Sequence, residues 1–356
     1  MVIAGGGTGG HFFPGLALAQ ALQAEAPACR VLFVGTSRGI EARLAPANGY
    51  AFRALPGSGF AGVGFLKRLK ALAALPVSGA LSVAVLASFR PKAVVGVGGY
   101  ASFPVGLVAG LAGIPLLLLE QNVAPGLANR ILGRLAAVVA VAFPQAGKAF
   151  GRKGRLLGNP VRASLAAVGP AAEPAQPFRL LVFGGSRGAR AINEAFVAAA
   201  KALRDFPGGI EILHQAGAED AERVRSAYAH AGVKAEVRPF IDDMDQAYAW
   251  SHACACRAGA TTLAELAAVR RPALLIPFAQ SAGGHQALNA KGLEQIGAAL
   301  CLDQSALTTE SLLAALRILA NGPTRRAMAD KLGALGRPDA AREIASLVLA
   351  MAGGAP

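Results

Sequence analysis

Near the start of the chain lies a glycine-rich segment, Gly5-Gly6-Gly7-Thr8-Gly9-Gly10-His11. An apolar run, Val2-Ile3-Ala4, precedes it, and a helical pattern begins at Phe12. Strand, glycine loop and helix in this order open a doubly wound α/β domain, which binds ligands at the carboxyl ends of its strands. Residues without side chains let backbone N–H groups approach an anion, and the helix N-terminus adds partial positive charge. The stretch therefore indicates a binding site as well as a fold.

His11 closes this glycine loop. An unperturbed imidazole titrates near pH ~6.5, so it can accept and donate protons at neutral pH. A structural role, in which His11 caps or packs the start of the helix, is an equal alternative from the residues alone.

The same opening returns in the second half of the chain. Residues 179–183 have the pattern of a strand, Gly184-Gly185-Ser186-Arg187-Gly188-Ala189 forms a glycine loop, and a helical pattern begins at Ile192. Strand-like and helical runs alternate through both halves, which predicts mostly parallel sheets covered on both faces. The other predicted strands are residues 30–34, 51–55, 93–98, 115–120, 137–142, 155–158, 211–214, 235–239, 253–256, 273–276 and 298–302.

The predicted architecture is two Rossmann-like α/β domains, each a doubly wound parallel sheet, that face each other across a cleft. The first domain covers residues 1–162 and the second covers residues 178–338. Residues 163–177 are rich in Ala and Pro and are the predicted linker. Residues 339–356 contain a terminal helix that could pack back across the domain junction.

The composition limits the classes of partner. The 356 residues carry a formal net charge of +14, which favours anionic partners. The cations are scattered and form no basic helix, so nucleic acid is not an expected partner. The longest uncharged run, residues 93–119, is broken by Gly and Pro and is not predicted to span a membrane. Four cysteines without a disulfide or zinc pattern indicate reduced thiols and a cytoplasmic location.

Two common phosphate chemistries are excluded. Gly5, Gly7 and Gly10 match the dinucleotide fingerprint, but the second strand ends in Val34-Gly35-Thr36 without the acid that would hold a nicotinamide ribose. Neither glycine loop continues into the Gly-Lys-Ser/Thr of an ATPase. These absences argue against hydride transfer and ATP hydrolysis.

An acidic pair, Asp243 and Asp245, has the D-x-D spacing of a divalent-cation site. It follows a strand and precedes a helical run, which favours acids that cap and charge-complement a helix start. No metal site is predicted.

Two further junctions between a strand and a helix carry candidate binding residues. In residues 256–265, small residues expose N–H groups at a helix N-terminus suited to a diphosphate, and Glu265 could accept the hydroxyls of a ribose. Beyond the next strand, His285, Gln286 and Asn289 supply an imidazole and two amides, which suit the donor and acceptor faces of sugar hydroxyls.

Taken in order, these motifs resemble those of the MurG family of bacterial glycosyltransferases over nearly the whole chain. Leu119 departs from the family, which commonly has a histidine there, and Gly284 stands where an acid often precedes His-Gln. The motifs that carry the resemblance, besides the two glycine loops and residues 256–265, are Gly98-Gly99-Tyr100-Ala101-Ser102, Glu120-Gln121-Asn122, Gly158-Asn159-Pro160-Val161-Arg162, Phe240-Ile241-Asp242-Asp243-Met244, and His285-Gln286 with Asn289.

The resemblance implies a GT-B fold and a hexosyltransferase of peptidoglycan synthesis, with the consequences for cell shape and division that this pathway has. The donor would be UDP-N-acetylglucosamine (UDP-GlcNAc), held mainly by the C-terminal domain. The acceptor would be undecaprenyl-diphospho-MurNAc-pentapeptide (lipid I), met by the N-terminal domain at the cytoplasmic face of the cell membrane. Inverting transfer to the C4 hydroxyl of MurNAc would give lipid II. The alternative is another GT-B enzyme that uses a UDP-sugar, either a glycolipid glycosyltransferase or a UDP-GlcNAc epimerase.

The resemblance also implies the substrate-binding residues. For the inverting transfer we expect His11 to be the catalytic base, because it is the only imidazole on a first-domain glycine loop that faces the cleft. No metal cofactor is expected, because a helix N-terminus, backbone N–H groups and Arg162 can offset the charge of the leaving diphosphate. Ile241 would meet uracil through its backbone, Glu265 the ribose hydroxyls, and Gln286 the GlcNAc hydroxyls. The full set of implied substrate-binding residues is Thr8, Gly9, Gly10, Tyr100, Asn122, Arg162, Ser186, Ile241, Ala260, Thr261, Thr262, Leu263, Ala264, Glu265, His285, Gln286 and Asn289.

A membrane contact is predicted in residues 60–72. Phe65, Leu69 and Leu72 share a helical face and cations lie beside it, the pattern of a helix that binds an anionic membrane surface. A surface helix docked on the domain is the alternative. The predicted contact residues are Phe60, Val63, Phe65, Lys67, Arg68 and Lys70.

Overall fold

The chain forms two compact units. The first unit contains Met1–Arg162 and Arg337–Pro356, and the second contains Ala163–Gly336, which includes the predicted linker. The computed structural model describes residues 1–56, 74–171, 176–185, 188–281 and 284–353.

A parallel sheet forms the centre of the first unit. Its strands are β1 (Val2–Gly5), β2 (Leu32–Thr36), β3 (Ala51–Leu55), β4 (Val94–Gly98), β5 (Leu116–Glu120), β6 (Val138–Val141) and β7 (Gly154–Leu156). Their order is β3-β2-β1-β4-β5-β6-β7. The helices described in this unit are α1 (Gly9–Glu25), α2 (Glu41–Ala47), α3 (Leu75–Phe89), α4 (Ser102–Leu111), α5 (Leu127–Leu132), α6 (Pro144–Lys148) and α16 (Ala340–Met351).

A second parallel sheet forms the centre of the second unit. Its strands are β8 (Phe178–Phe183), β9 (Ile210–Gln215), β10 (Ala235–Arg238), β11 (Ala253–Cys256), β12 (Ala273–Leu275) and β13 (Leu300–Cys301). Their order is β10-β9-β8-β11-β12-β13. The helices described in this unit are α7 (Ala163–Ala166), α8 (Arg190–Ala198), α9 (Ala200–Arg204), α10 (Ala221–Ala231), α11 (Met244–Trp250), α12 (Ala260–Ala268), α13 (His285–Gln295), α14 (Thr309–Ala320) and α15 (Gly322–Leu335).

Both sheets have the doubly wound strand order, so the fold predicted from sequence is confirmed, with strand ends displaced by a residue or two. The order reverses between β1 and β4 in the first unit and between β8 and β11 in the second. Open α/β sheets bind ligands at this reversal, outside the carboxyl ends of the strands. Each of the two glycine loops follows a strand at a reversal.

The last helix, α16, completes the core of the first unit. Ile344 and Val348 on α16 are buried in one cluster with Ile3 of β1 and Leu16 of α1. The central strands are apolar throughout because helices cover both of their faces. Among the described residues, no helix is both long and apolar enough to cross a bilayer.

Candidate active site

The glycine loop after β1 packs against the end of β4, backbone on backbone. Gly6 N–H donates to the Gly98 carbonyl at 3.2 Å. A Cβ on Gly5 would overlap that same carbonyl, and one on Gly99 would overlap the carbonyl of Gly6. The absence of side chains at these positions is therefore what lets the two loops meet.

His11 lies over this junction, in the first turn of α1. Its Nδ1 is 3.3 Å from Oγ1 of Thr8, and a Cβ on Gly98 would lie 2.7 Å from its Cδ2. Burial lowers the pKa of His11, and the charges of Glu120 and Glu41 and the Gly6 carbonyl oppose that shift. The imidazole is therefore neutral at pH 7, the form that can accept a proton.

Glu41 is a buried carboxylate behind the glycine loop. It accepts hydrogen bonds from Gly7 N–H at 2.7 Å, from Thr36 N–H at 2.9 Å and from the Thr36 hydroxyl at 3.2 Å. Sequence reasoning missed it, because an acid in the first turn of α2 has the pattern of an ordinary helix start. One of the loop N–H groups predicted to meet an anion is thus already bound to an internal one.

Glu120 is a second buried carboxylate, at the end of β5, and it organises the loop that carries Asn122. It accepts from the N–H of Asn122 at 3.0 Å, from the N–H of Gly126 at 3.0 Å and from Nδ2 of Asn129 at 3.0 Å. It was quoted within a motif but not named as a site residue. Glu120 could have been recognised as a candidate from the sequence, because it is an acid at the carboxyl end of a buried strand.

Two predicted substrate-binding residues of the first unit make other contacts. Tyr100 is buried, and its hydroxyl lies 3.3 Å from Oγ of Ser78 on α3. The guanidinium of Arg162 stacks on the ring of Phe13, 5.3 Å from its centroid. Thr8, by contrast, is the N-cap of α1. The N-terminus of α1, which carries His11, follows β1, and the Asn122 loop follows β5. Both therefore lie at the carboxyl ends of the strands of the same parallel sheet.

In the second unit, the Gln215 side chain forms hydrogen bonds with both the glycine loop after β8 and the loop that carries Ile241. Its Oε1 accepts from Ile241 N–H at 2.9 Å, and its Nε2 donates to the Gly185 carbonyl at 2.9 Å. Gln215 ends β9, and sequence reasoning missed it. The Ile241 side chain is buried, so only its backbone is placed to meet a ligand.

The predicted diphosphate site lies at the start of α12, where Gly259 is the N-cap. Thr261, Thr262 and Ala264 are half-buried in its first turns, whereas the Leu263 side chain is in the core. Further along α12, Oε2 of Glu265 accepts a hydrogen bond from the hydroxyl of Tyr248 at 3.1 Å.

The predicted sugar-binding residues lie at the start of α13. Oε1 of Gln286 accepts from Phe278 N–H at 2.9 Å, which fixes the amide, and Asn289 Nδ2 donates to the Ala258 carbonyl at 3.4 Å. Within the described part of the chain, Nδ1 of His285 and Oδ1 of Asn289 are buried without a hydrogen-bond partner. A bound ligand would supply such partners.

Arg257, at the junction of β11 and α12, supports this region and was not predicted as a site residue. Its guanidinium donates to the carbonyls of Ile276 and Pro277 and to Oε1 of Gln304. It also stacks on the ring of Phe278 at 5.3 Å. Burial lowers the pKa of Arg257.

The acidic pair lies at the start of α11. Asp243 is at the N-cap position of α11 and its Oδ1 accepts from Arg238 at 3.1 Å, while Asp245 lies in the first turn. Among the residues described, no three His, Cys, Asp or Glu side chains are grouped to hold a metal ion. Ser186 and the predicted membrane-contact residues lie outside the described residues; the latter are Phe60, Val63, Phe65, Lys67, Arg68 and Lys70.

Two doubly wound units of this kind make up the GT-B fold, and comparison with known proteins places the chain among the glycosyltransferases of that class. Sequence models of the N-terminal and C-terminal domains of glycosyltransferase family 28 match residues 1–141 and 179–344. The chain belongs to glycosyltransferase family 28.

Individual relatives agree with this assignment. The chain is 47% identical, over 98% of its length and 91% of the relative's, to the UDP-N-acetylglucosamine--N-acetylmuramyl-(pentapeptide) pyrophosphoryl-undecaprenol N-acetylglucosamine transferase of Myxococcus xanthus. It is 45% identical to the enzyme of the same name from Anaeromyxobacter sp., over 98% and 92% of the two chains. Its fold matches the crystal structure of Acinetobacter baumannii MurG with a TM-score of 0.77, at 31% identity and with 98% of each chain covered. The resemblance to the MurG family drawn from the motifs is confirmed.

Proposed function

We propose that the chain transfers N-acetylglucosamine from UDP-GlcNAc to the C4 hydroxyl of MurNAc in lipid I, with inversion, and so produces lipid II. The observation that carries this proposal is the 47% identity, over 98% of the chain, to a relative named for that transfer. The second unit would bind the donor and the first unit the lipid-linked acceptor.

The donor contacts follow from groups that the second unit has already oriented. Glu265, held by Tyr248, would accept the ribose hydroxyls. The N–H of Ile241 already donates to Gln215. We therefore assign the backbone carbonyl of Ile241 as the acceptor for the uracil N–H. The N-terminus of α12 would face the diphosphate, where its partial positive charge offsets the leaving group.

His11 would be the general base. It removes the proton of the C4 hydroxyl while that oxygen bonds to the anomeric carbon and the bond from that carbon to the UDP oxygen breaks. Support comes from the lowered pKa of His11, which leaves the ring neutral and able to accept a proton. General-base catalysis contributes roughly 10²–10⁴-fold in rate.

We propose that this reaction needs no metal ion. The α12 N-terminus and backbone N–H groups would offset the charge of the departing UDP. Asp243, one of the two acids with the spacing of a cation site, forms an ion pair with Arg238. Activity retained in a chelator would agree, whereas strict dependence on Mn²⁺ or Mg²⁺ would contradict the proposal.

We further propose that the first unit binds the anionic cytoplasmic face of the cell membrane peripherally. Helix α3 supports this, because it buries Ser78 and Ser82 and exposes Val77 (54%), Leu81 (41%) and Val83 (53%). An ordinary surface helix buries its apolar residues and exposes its polar ones. Helix α3 also contains no charged residue. The cations of residues 67–70 precede it in sequence and would meet acidic lipid headgroups.

The function is tested with the purified chain, UDP-GlcNAc labelled in the sugar, and three acceptor conditions. With a lipid I analogue we expect labelled disaccharide lipid of inverted anomeric configuration and release of UDP. With diacylglycerol, or without acceptor, we expect no product. Transfer to diacylglycerol alone, or epimerisation of UDP-GlcNAc without acceptor, would overturn the proposal in favour of the two alternatives.

A further inference from the structure

Glu41 is held by hydrogen-bond donors as a bound anion is, unlike an acidic side chain that is exposed in the first turn of a helix. It is 1% exposed, and among the described residues two N–H groups and a hydroxyl donate to its oxygens. Such a set of donors matches a carboxylate, which only accepts hydrogen bonds. Within the described residues, no cation forms an ion pair with it. The backbone therefore holds this carboxylate much as a glycine loop holds a phosphate.

Three glycines from different segments of the first unit make room for the carboxylate. A Cβ on Gly6, on Gly35 or on Gly39 would overlap atoms of the Glu41 side chain. Gly6 belongs to the loop after β1, Gly35 to β2, and Gly39 precedes α2. A side chain at any one of them would displace the carboxylate, so the cavity is fitted to this one group.

We propose that Glu41 is the anion that the first glycine loop is built to bind, and that through this loop it positions His11 for proton transfer. The carboxylate fixes Gly7 against the end of β2, and α1 begins directly after that loop. This inference rests on the proposed function, because it takes His11 as the base. It also means that a substrate diphosphate does not use the N–H of Gly7.

The charge of Glu41 has an effect that a purely structural contact would lack. Among the described residues, the groups that act on the His11 ring are the charges of Glu120 and Glu41, the Gly6 carbonyl and the Thr8 hydroxyl, which lies 3.3 Å from Nδ1. Both carboxylates raise the pKa of His11 against the effect of burial. Removing one of them should therefore lower that pKa, so the imidazole would stay neutral to a lower pH.

The experiment compares Glu41→Gln with Glu41→Asp. Glu41→Gln keeps the shape but loses the charge and turns one acceptor into a donor. We expect kcat to fall about 10- to 100-fold, as displacement of a catalytic group by roughly 1 Å can do. The KM for UDP-GlcNAc should stay within about twofold, because the donor would bind to the other unit. The acid limb of the kcat–pH profile should move to lower pH. Glu41→Asp keeps the charge but shortens the reach, so kcat should fall while the acid limb stays in place.

Glu25→Gln is the matched control, since Glu25 is an exposed acid at the far end of α1, and its kcat and pH profile should match the wild type. Wild-type kcat in both Glu41 variants, or an unmoved acid limb in Glu41→Gln, would overturn the proposal. If Glu41→Gln does not fold, undiminished kcat in Glu41→Asp alone would overturn it.

The titration of the His11 ring by NMR, in wild type and Glu41→Gln, separates this proposal from the proposed function. A wild-type chain without lipid I transfer would defeat the function, yet the two titration curves would still report on Glu41. Identical curves would show that Glu41 does not act on His11, even if transfer to lipid I is observed.

Discussion

The Tyr248 hydroxyl donates a hydrogen bond of 3.1 Å to Oε2 of Glu265. Tyr248 is fully buried, and burial raises its pKa well above the ordinary value, so the hydroxyl keeps its proton and remains a donor. The carboxylate that would hold the ribose is therefore oriented before the donor arrives. A pre-oriented acceptor loses less conformational freedom on binding.

Tyr248→Phe removes this orienting bond without changing the shape of the core. We expect the Kd for UDP-GlcNAc to rise about tenfold, since a hydrogen bond to a charged group contributes about 1.5–3 kcal/mol. Isothermal titration calorimetry measures the change. Tyr228→Phe is the matched control, because it removes a buried hydroxyl that lies 2.9 Å from His214 instead. Equal affinities in Tyr248→Phe and wild type would refute the role of Tyr248.

His11→Ala removes the proposed base. We expect kcat to fall roughly 10²–10⁴-fold while the Kd for UDP stays unchanged, because general-base catalysis contributes that much and the donor would bind to the other unit. Steady-state kinetics with a lipid I analogue and direct UDP binding supply both values. His230→Ala, at an exposed histidine of α10, should match the wild type. Weaker UDP binding with turnover otherwise intact would make His11 a structural residue.

The free energy of unfolding should depend on pH through the buried His214. Its ring lies 3.1 Å from Oδ1 of Asn193 and 2.9 Å from the Tyr228 hydroxyl, and burial lowers its pKa to about 3. The unfolded chain binds this proton near pH ~6.5, so the neutral ring stabilises the fold above that pH. The contribution is lost as pH falls from ~6.5 towards 3, at up to about 1.4 kcal/mol per pH unit.

His214→Gln tests this dependence, since an amide cannot titrate. We expect the free energy of unfolding of the variant, measured with urea, to fall less steeply than that of the wild type between pH 6.5 and about 4. His230→Gln, at the exposed histidine, should retain the wild-type slope. Parallel curves for His214→Gln and wild type would show that His214 is not the group responsible.

The exposed apolar face of α3 should matter for membrane binding. Leu81→Ser with Val83→Ser should weaken binding to vesicles that contain acidic lipid, because the pair removes exposed apolar area while the buried serines remain. Cosedimentation measures the bound fraction. Leu288→Ser with Ile318→Ser, at two exposed apolar residues of the second unit, is the control and should bind like wild type. No difference between the two double variants would remove α3 from the contact.

The site residues divide according to the kind of evidence that could reveal them. Thr8, His11 and Glu265 were predictable because each lies where a buried strand gives way to a helix, and that local pattern is visible in the sequence. Gln215 and Tyr248 were not, because their side chains serve other segments of the chain. Leu263 illustrates the opposite case, since it was predicted from its position in the sequence beside the diphosphate site, whereas its side chain faces the core.

Two doubly wound α/β units, each with a glycine loop at a strand end, could be predicted from the order of residues alone. That information is local, because apolar strands, helical periods and glycines occur within a few residues of one another. The packing of α16 into the core of the first unit, and the binding of Glu41 by the first glycine loop, became visible only in the folded chain. Gly7 and Glu41 are far apart in the chain and meet because β2 pairs with β1. A buried carboxylate accepts hydrogen bonds from the donors that the strand order brings to it, and no periodicity in the sequence encodes that order.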